Sequence, residues 1–280
     1  MHIKMNEDVV SKIVQADLLG KTKVDMKSLY IEQSALNVDL DKPIYRIFQI
    51  DYFKNDIANE ILTHVKASPS TWGDTLENPL LNHEYLDETT GGKLTLNGVV
   101  ENFYALSWTI DEIENIGNWN EFSHGNPSIR VKTTPRKLLE HLMHIEDEYF
   151  MLHHYIGKVE YHAQQKIKEW RASSHYTSHL DTLGQGAALS LMALSTKFSD
   201  EKEVRLLYSY LPQHDTQWVN SNVKIIGNNC QHPFNWKCII DEVVIGPHVP
   251  SGGRQDISTF LSSFNIVCII KNSMFRQAND

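Results

Sequence analysis

The most informative group of ionisable side chains is the run EKEVR at 201–205. We predict a strand from Glu203 to Tyr210, and side chains alternate between the two faces of a strand. On such a strand, Glu201, Glu203 and Arg205 point to one face. That face is either a surface with a cross-strand salt bridge or a polar cleft in which Arg205 holds a carboxylate. In a cleft, the two glutamates are candidate catalytic groups.

A charged side chain also stands among apolar neighbours in the segment IYRIF at 44–48. On a regular strand, Arg46 shares a face with apolar side chains of the same segment, and a buried arginine needs an anion. That anion is either a bound ligand or a carboxylate of the protein, such as Asp74 or Glu77. Arg46 is therefore a candidate for binding an anionic ligand, with a structural ion pair as the alternative.

Two further motifs have side chains suited to a pocket. Ser107 and Trp108 end an apolar stretch, where the serine can line a pocket and the tryptophan can stack on a ligand ring or belong to the core. The segment SPSTWGD at 68–74 is rich in turn formers, and loops often contain binding groups. Trp72 and Asp74 are therefore candidate substrate-loop residues, or else the loop is anchored by one buried aromatic.

Fourteen histidines require that a metal site be considered. His141 and His144 lie three residues apart on a predicted helix, with Glu148 one turn further, which is a possible ligand spacing. The HExxH order is absent, and the same helix has an apolar face. A second set lacks the CxxC pair of zinc sites: Cys230, His232 and Cys238. We expect no metal site, and no GxSxG motif indicates a serine hydrolase.

The composition is that of a globular protein. The chain has 280 residues, 41% of them apolar, and a formal net charge of −9. This charge argues against a nonspecific nucleic-acid binder, which needs clustered cations to displace counterions from phosphates. It does not exclude an enzyme that contacts nucleic acid through one local basic patch.

The termini and cysteines bear on localisation. The start, MHIKMNEDVV, has neither the apolar core nor the cleavage site of a signal peptide. The longest apolar run, at 266–270, is too short to span a bilayer. An odd number of cysteines, three, fits a reduced compartment. We therefore expect a cytoplasmic protein without a membrane partner.

The predicted elements alternate irregularly along the chain. Residues 1–42 are interpreted as an N-terminal helical extension and 43–280 as one α+β domain, with a mixed, mainly antiparallel sheet flanked by helices. Strands are predicted at 44–48, 102–110, 129–132, 155–161, 203–210, 239–245 and 266–270. Helices are predicted from 51 through 65, at 111–119, at 186–193 and at 256–264. One further helix is predicted to begin at 135, and another is predicted to follow the strand at 155–161 and to end at about 170.

Five segments resemble, in the same order, the bacterial family called domain of unknown function 2971. They are IYRIF at 44–48, SPSTWGDTLEN at 68–78, FYALSWTIDEIENIGNWNEFS at 103–123, FSDEKEVRLLY at 198–208 and IDEVVIGP at 240–247. One departure is the sequence GDT at 73–75, where the family usually has Asn-Asp-Pro. Any role of that proline therefore does not transfer.

The order of the candidate side chains is also similar to that of the ADP-ribosyltransferase superfamily. Those enzymes place an Arg or His on the first core strand, a Ser with a nearby aromatic on the next strand, and a Glu at the start of a later strand. The matching positions here are Arg46 beside Tyr45, Ser107 beside Trp108, and Glu203. The resemblance implies an ADP-ribosyltransferase-like fold with NAD as substrate, and the Glu-x-Glu spacing implies that Glu201 helps to select the acceptor.

Cleavage of the glycosidic bond in NAD passes through a cationic oxocarbenium ribose. A cation must hold the pyrophosphate, a hydroxyl must support the nicotinamide pocket, and a carboxylate must offset the developing charge. Arg46, Ser107 and Glu203 provide one of each, so we expect the three side chains on the same side of one sheet. The resemblance further implies a macromolecular acceptor, protein or nucleic acid, and a toxin or defence protein with a neutralising partner.

Two other functions remain open. Asp74, Glu77 and Glu203 are acids of the type that a metal-assisted nuclease or hydrolase uses. A non-catalytic module that binds a ligand or partner in a polar cleft is the third hypothesis. Converging acids around a metal-sized gap would favour the nuclease, and a filled, flat surface would favour the binding module.

Overall fold

The computed structural model describes residues 7–276 except 75, 88, 174, 182–183 and 211–215. The strands are β1 Ala35–Leu36, β2 Ile44–Gln49, β3 Ile61–Lys66, β4 Glu84–Leu86, β5 Lys93–Thr95, β6 Phe103–Thr109, β7 Ser128–Thr133, β8 His154–Lys158, β9 Glu160–His162, β10 Ala193–Ser195, β11 Glu203–Ser209, β12 Lys224–Ile226, β13 Asn229–Pro233, β14 Glu242–Ile245 and β15 Ile269–Asn272.

The α-helices are α1 Glu7–Leu18, α2 Lys23–Gln33, α3 Ile50–Ala58, α4 Pro69–Trp72, α5 Asn97–Val100, α6 Ile116–Ser123, α7 Pro135–Leu142, α8 Phe150–His153, α9 Gln164–Ser173, α10 Gln185–Ser190, α11 Gln217–Asn222 and α12 Gly253–Ser263. Two 3₁₀ helices span Tyr176–His179 and Thr196–Glu201. Within these described parts of the chain, no helix is long and apolar enough to cross a membrane.

One large sheet organises the fold. Its strand order is β1-β8-β11-β6-β2-β7-β14-β15, and β3 also pairs with β6 and continues the sheet through β13 to β12. Most neighbours are antiparallel, whereas β1–β8 and β14–β15 are parallel. The predicted mixed, mainly antiparallel sheet flanked by helices is confirmed.

The sheet forks along β6. Thr109 of β6 pairs with Tyr45 of β2, whereas Ala105 pairs with Val65 of β3. Ser107 lies between these two pairings, where β2 has left β6 and β3 has not yet reached it. The fork therefore opens the sheet at the serine predicted for the site.

The main core covers one face of the sheet. Buried side chains of β2, β6, β7 and β11 pack there with α3, α7 and α12. Helix α7 illustrates how the sequence determines where a helix begins. The Thr134 side chain accepts a hydrogen bond from the Lys137 amide, and Pro135 occupies the first turn. The helix then buries Leu138 and Leu142. A second apolar cluster lies around Phe103, Tyr155 and Leu207.

The predicted elements differ from the structure chiefly at their ends. The helix expected from 51 through 65 stops at Ala58, because Glu60 adopts a left-handed φ of 52° and the chain turns into β3. Its apolar residues at four-residue spacing imitate a helical face, but the second half is rich in β-branched residues, which suit a strand. Helix α6 begins at Ile116 rather than at 111, and β14 begins at Glu242 rather than at 239.

The first 42 residues include part of the sheet. Strand β1 pairs with β8, with Ala35 opposite Ile156, and Met26 and Ile31 of α2 are buried. The Gln185 side chain also donates a 2.9 Å hydrogen bond to the Gln33 carbonyl. A separate extension at 1–42 stays a prediction, and its described part is packed against the main sheet.

Candidate functional site

A narrow pocket with a cavity volume of about 40 Å³, partly open to solvent, lies where β2, β6, β7 and β11 meet the segment 109–122. Six of the residues predicted for the site line it: Tyr45, Arg46, Ser107, Trp108, Glu201 and Glu203. Side chains that are far apart in the sequence thus converge at the fork of the sheet.

Strand register decides which side chains share a face. Residues directly opposite each other on antiparallel strands point the same way. Ser107 is opposite Arg205, and Thr109 is opposite both Glu203 and Tyr45. These five side chains therefore lie on one face, the face away from the main core. The prediction of a shared face is confirmed for Ser107 and Glu203.

Arg46 lies on the other face, so the prediction of a shared face is wrong for this residue. It is opposite Val131, a member of the main core. Its guanidinium fills the fork, where Nη1 donates a hydrogen bond to the backbone carbonyl of Ser107 and the group lies 5.0 Å from the Phe48 ring centroid. Arg46 thus lines the pocket from within the fork.

The charge on Arg46 is weakly compensated. Burial lowers its pKa to about 10, partly offset by the carboxylates of Asp56 and Glu203. Within the described residues, no carboxylate oxygen lies within 4.0 Å of it. The alternative of an ion pair between Arg46 and Asp74 or Glu77 is therefore wrong.

Glu77 pairs instead with Arg205, which also binds Glu203. Arg205 Nε and Nη2 donate to the two carboxylate oxygens of Glu203 at 3.0 and 3.1 Å, and Nη1 lies 2.5 Å from Glu77 Oε1. All three side chains are at most 4% exposed. Of the two interpretations of the EKEVR run, the second is therefore correct: Arg205 holds a carboxylate in a polar cleft.

The electrostatics of this network follow from its burial. Burial alone lowers the pKa of Arg205, but the two neighbouring carboxylates, Glu203 and Glu77, raise it by more, so the guanidinium stays charged. Burial raises the pKa of Glu77, and Arg205 opposes that shift. The Arg205 guanidinium is further fixed by a 2.8 Å hydrogen bond to the Leu191 carbonyl. Glu203 is thus held in one orientation at the pocket wall.

Glu201 does not lie on the strand, contrary to prediction. It ends the 3₁₀ helix Thr196–Glu201, and Lys202 has a left-handed φ of 45°, so the alternation starts only at Glu203. Glu201 nevertheless lines the pocket, and its carbonyl accepts a 2.7 Å hydrogen bond from Thr109 Oγ1. Burial and the charges of neighbouring glutamates raise its pKa to about 7. A carboxyl with that pKa can take up or release a proton near neutral pH.

The two aromatic residues of the site differ in their surroundings. Trp108 is 2% exposed and packs in the main core, where its ring centroid lies 6.0 Å from that of Phe48. The alternative of a core tryptophan thus applies, although Trp108 also contributes to the pocket lining. Tyr45 lies under the guanidinium of Arg130, whose central carbon is 4.0 Å from its ring centroid.

Trp72 and Asp74 are not among the residues that line the pocket. Residues 69–72 form helix α4, which ends at Gly73 with a left-handed φ of 74°. The Trp72 ring lies against Arg205, with 4.9 Å between the guanidinium carbon and the ring centroid. Asp74 is buried and accepts a 3.1 Å hydrogen bond from the Leu76 amide. Both residues therefore stand beside the Arg205 network, and their role as a substrate loop stays a prediction.

Arg130 is a pocket residue that sequence reasoning missed. It is opposite Ile47 and 6% exposed. Its guanidinium donates hydrogen bonds to the backbone carbonyls of Asp111 and Glu112, the latter at 3.1 Å. The signal was present, because Arg130 stands between the apolar residues Ile129 and Val131, as Arg46 does in its own strand.

Metal ligation has no support in the geometry. Among the residues that the structure describes, no group of three or more His, Cys, Asp or Glu side chains could hold a metal ion. Arg205 lies between Glu77 and Glu203, the acids considered for a nuclease. The histidines His64, His154 and His232 cluster around Tyr208 on the other side of the sheet from the pocket face, with ring centroids 6.4, 5.0 and 5.2 Å from that of Tyr208.

No family model matches the chain, so the resemblance to domain of unknown function 2971 gains no support, and no curated protein matches it. It is similar to Thermus sp. 2.9 DarT in complex with NAD+ at a TM-score of 0.36 and 10% identity, over 86% of this chain and 100% of that chain.

Two further structures of the same protein are similar to this chain. The complex of Thermus sp. 2.9 DarT with ADP-ribosylated ssDNA has a TM-score of 0.37 and 9% identity, over 86% of this chain and 99% of that chain. The complex with carba-NAD+ has a TM-score of 0.35 and 10% identity, over 85% and 98%.

Proposed function

We propose that this protein is an NAD-dependent ADP-ribosyltransferase, with NAD as its substrate. The observation that supports this most is the composition of one pocket. It combines a fixed carboxylate, Glu203, with two arginines, Arg46 and Arg130, that have no carboxylate partner within 4.0 Å among the described residues. Uncompensated guanidinium groups at a pocket favour an anionic ligand, and a nearby carboxylate favours a developing cation.

The reaction distributes charge in the way that this pocket does. Breaking the bond between ribose C1′ and the nicotinamide nitrogen returns the electron pair to nicotinamide and leaves an oxocarbenium on the ribose. A nucleophilic atom of the acceptor then forms a bond to C1′ and loses its proton. Glu203 would offset the positive charge on the ribose, and an arginine would hold the diphosphate.

Two other pocket residues would complete the site. Ser107 lies on the same face as Glu203 and would contact the nicotinamide end. Glu201, with its pKa near 7, would accept the proton that the acceptor loses. A macromolecular acceptor would approach from the side of the pocket that is open to solvent. Action in the cytoplasm, a role as toxin or defence protein and a neutralising partner are further parts of this proposal.

One observation favours a second candidate, a non-catalytic module that binds an anionic ligand. Both oxygens of Glu203 already accept hydrogen bonds from Arg205, so much of the carboxylate charge is neutralised within the protein. A carboxylate engaged in this way offers less charge to a ribose cation. In this second function, the arginines would still bind the ligand, but no bond of it would break.

Nicotinamide release from NAD by the purified protein tests the two candidates. We expect release by the wild type and a loss on the order of 100-fold or more in Glu203→Gln, because the amide has nearly the same shape but no charge. A matched control is Glu84→Gln, which removes a glutamate outside the pocket that pairs with Lys93. Full turnover by Glu203→Gln would contradict the proposed mechanism, and binding without turnover in the wild type would support the module.

A further inference from the structure

We infer that Arg130, and not Arg46, is the residue that binds the diphosphate of a dinucleotide in this pocket. This inference deepens the proposed function and rests on it for the identity of the ligand as NAD. Sequence resemblance assigns the diphosphate to Arg46. The two arginines differ in the face of the sheet on which they lie and in the hydrogen bonds that fix their guanidinium groups.

The face of the sheet is the first difference. Arg130 is opposite Ile47, and Tyr45, two residues before Ile47, is on the same face. Tyr45 in turn shares its face with Thr109 and Glu203. Arg130 therefore extends from the same face of the sheet as the candidate catalytic carboxylate, whereas Arg46 belongs to the opposite face and enters the fork.

The charge of Arg130, like that of Arg46, is not paired with a carboxylate among the described residues. Arg130 is 6% exposed, and the carboxylates whose charges act on it belong to Asp111, Glu114 and Glu242. Each of the three is engaged elsewhere. Their partners are Lys202 for Asp111, Trp119 Nε1 and Ser273 for Glu114, and Lys271 for Glu242. A buried cation whose acidic neighbours are all paired with other groups can bind an anion that enters the pocket.

The second difference is the number of backbone hydrogen bonds that fix the guanidinium. A guanidinium has five N–H donors. Those of Arg130 that bond within the described protein go to two consecutive backbone carbonyls, Asp111 and Glu112, which fix its plane without neutralising its charge. Within the described residues, Arg46 has one such bond, from Nη1 to the Ser107 carbonyl, and its Nε is buried without a hydrogen-bond partner. Arg130 thus presents a fixed, charged fork of the kind that binds phosphate oxygens.

Direct binding of inorganic pyrophosphate and ADP, measured by calorimetry, tests this assignment without requiring any reaction. We expect Arg130→Gln to weaken both at least 10-fold, and Arg46→Gln to weaken them less. Lys132→Gln is the matched control, since it removes a cation from the same face of the same strand that is not among the residues lining the pocket. It should change either affinity less than twofold. Melting temperatures show that each variant is folded.

A conservative variant separates the guanidinium fork from the charge alone. Arg130→Lys keeps the charge but not the two parallel donors, so its affinity should fall between those of the wild type and Arg130→Gln. It also serves as the test if Arg130→Gln does not fold. In NAD turnover, Arg130→Gln should raise KM more than it lowers kcat, because the diphosphate is bound alike in the ground state and the transition state.

The outcomes are distinguishable. Wild-type affinities in Arg130→Gln or in Arg130→Lys, a larger loss in Arg46→Gln than in Arg130→Gln, or no pyrophosphate binding by the wild type would each overturn the inference. Pyrophosphate binding that depends on Arg130, without any release of nicotinamide from NAD, would support the inference and contradict the proposed function.

Discussion

Both carboxylate oxygens of Glu203 accept hydrogen bonds from Arg205, at 3.0 and 3.1 Å. The two residues are neighbours on the same face of β11, so the strand itself brings the pair together. A buried carboxylate is stable as an anion only with such a partner. The orientation of the candidate catalytic group is therefore a property of Arg205 and of whatever holds Arg205.

We predict that Glu77→Gln lowers both stability and turnover. The introduced amide would keep a hydrogen-bond acceptor, but Arg205 would lose one of its two carboxylates, at an expected cost on the order of 2 kcal/mol. Arg205 would then bind Glu203 more strongly, which would leave less carboxylate charge for the substrate. Turnover should therefore fall, although Glu77 is not among the residues that line the pocket. Urea unfolding and nicotinamide release measure the two effects. Glu84→Gln, in an exposed pair with Lys93, should change neither.

We predict that acceptor labelling rises with pH through about 7. The pKa of Glu201 is raised to about 7 by burial and by neighbouring glutamates, so the carboxylate form that accepts a proton increases from pH 6 to pH 8. Glu201→Gln should remove this dependence and reduce labelling, while NAD hydrolysis persists. The measurement is transfer of label from NAD to cell-extract macromolecules across this pH range. A pH profile unchanged by the substitution would assign the proton to another group.

We predict that stability falls as the pH decreases from about 6.5 to about 4. Burial lowers the pKa of His64 to about 4, so the folded protein keeps this ring neutral where the unfolded chain is protonated. The contribution of the neutral His64 ring to the free energy of unfolding is fully present above the unfolded pKa near 6.5. It is lost as the pH falls below that value, by up to about 3 kcal/mol. Urea unfolding at pH 7.5 and 5 measures the loss, which should be smaller in His64→Leu. An equal loss in that variant would contradict the assignment.

We predict that NAD raises the melting temperature of the wild type and of Glu203→Gln alike. A ligand that binds only the folded state stabilises it, by about 2.7 kcal/mol at 100 times its Kd. Glu203→Gln should keep this shift while losing turnover, because Arg130, which holds the diphosphate, is unchanged. Nicotinamide alone, which has no phosphate, should give a smaller shift at the same concentration. No shift with NAD in either protein would count against NAD as the ligand.

Much of the sheet and of the candidate site could be predicted from the sequence, for identifiable reasons. Strand patterns around Arg46, Ser107 and Glu203 were strong, and these residues line one pocket. The error at Glu201 came from extending the alternation of strand faces across Lys202. This residue has a left-handed backbone conformation, which a lysine in the sequence does not predict. Arg130 was overlooked although it stands between two apolar residues, and only the folded chain shows that the acids near it are paired with other groups.

The fork at β6 gives Arg46 a different importance from that of a ligand-binding group. Between the two pairings of β6, the Ser107 carbonyl has the Arg46 guanidinium as its partner in place of a strand. The guanidinium therefore takes the place of a neighbouring strand at this point of the sheet and links β2 to β6 across the opening. A substitution of Arg46 removes the partner of one backbone acceptor of β6, whereas a substitution of Arg130 leaves the link across the fork in place.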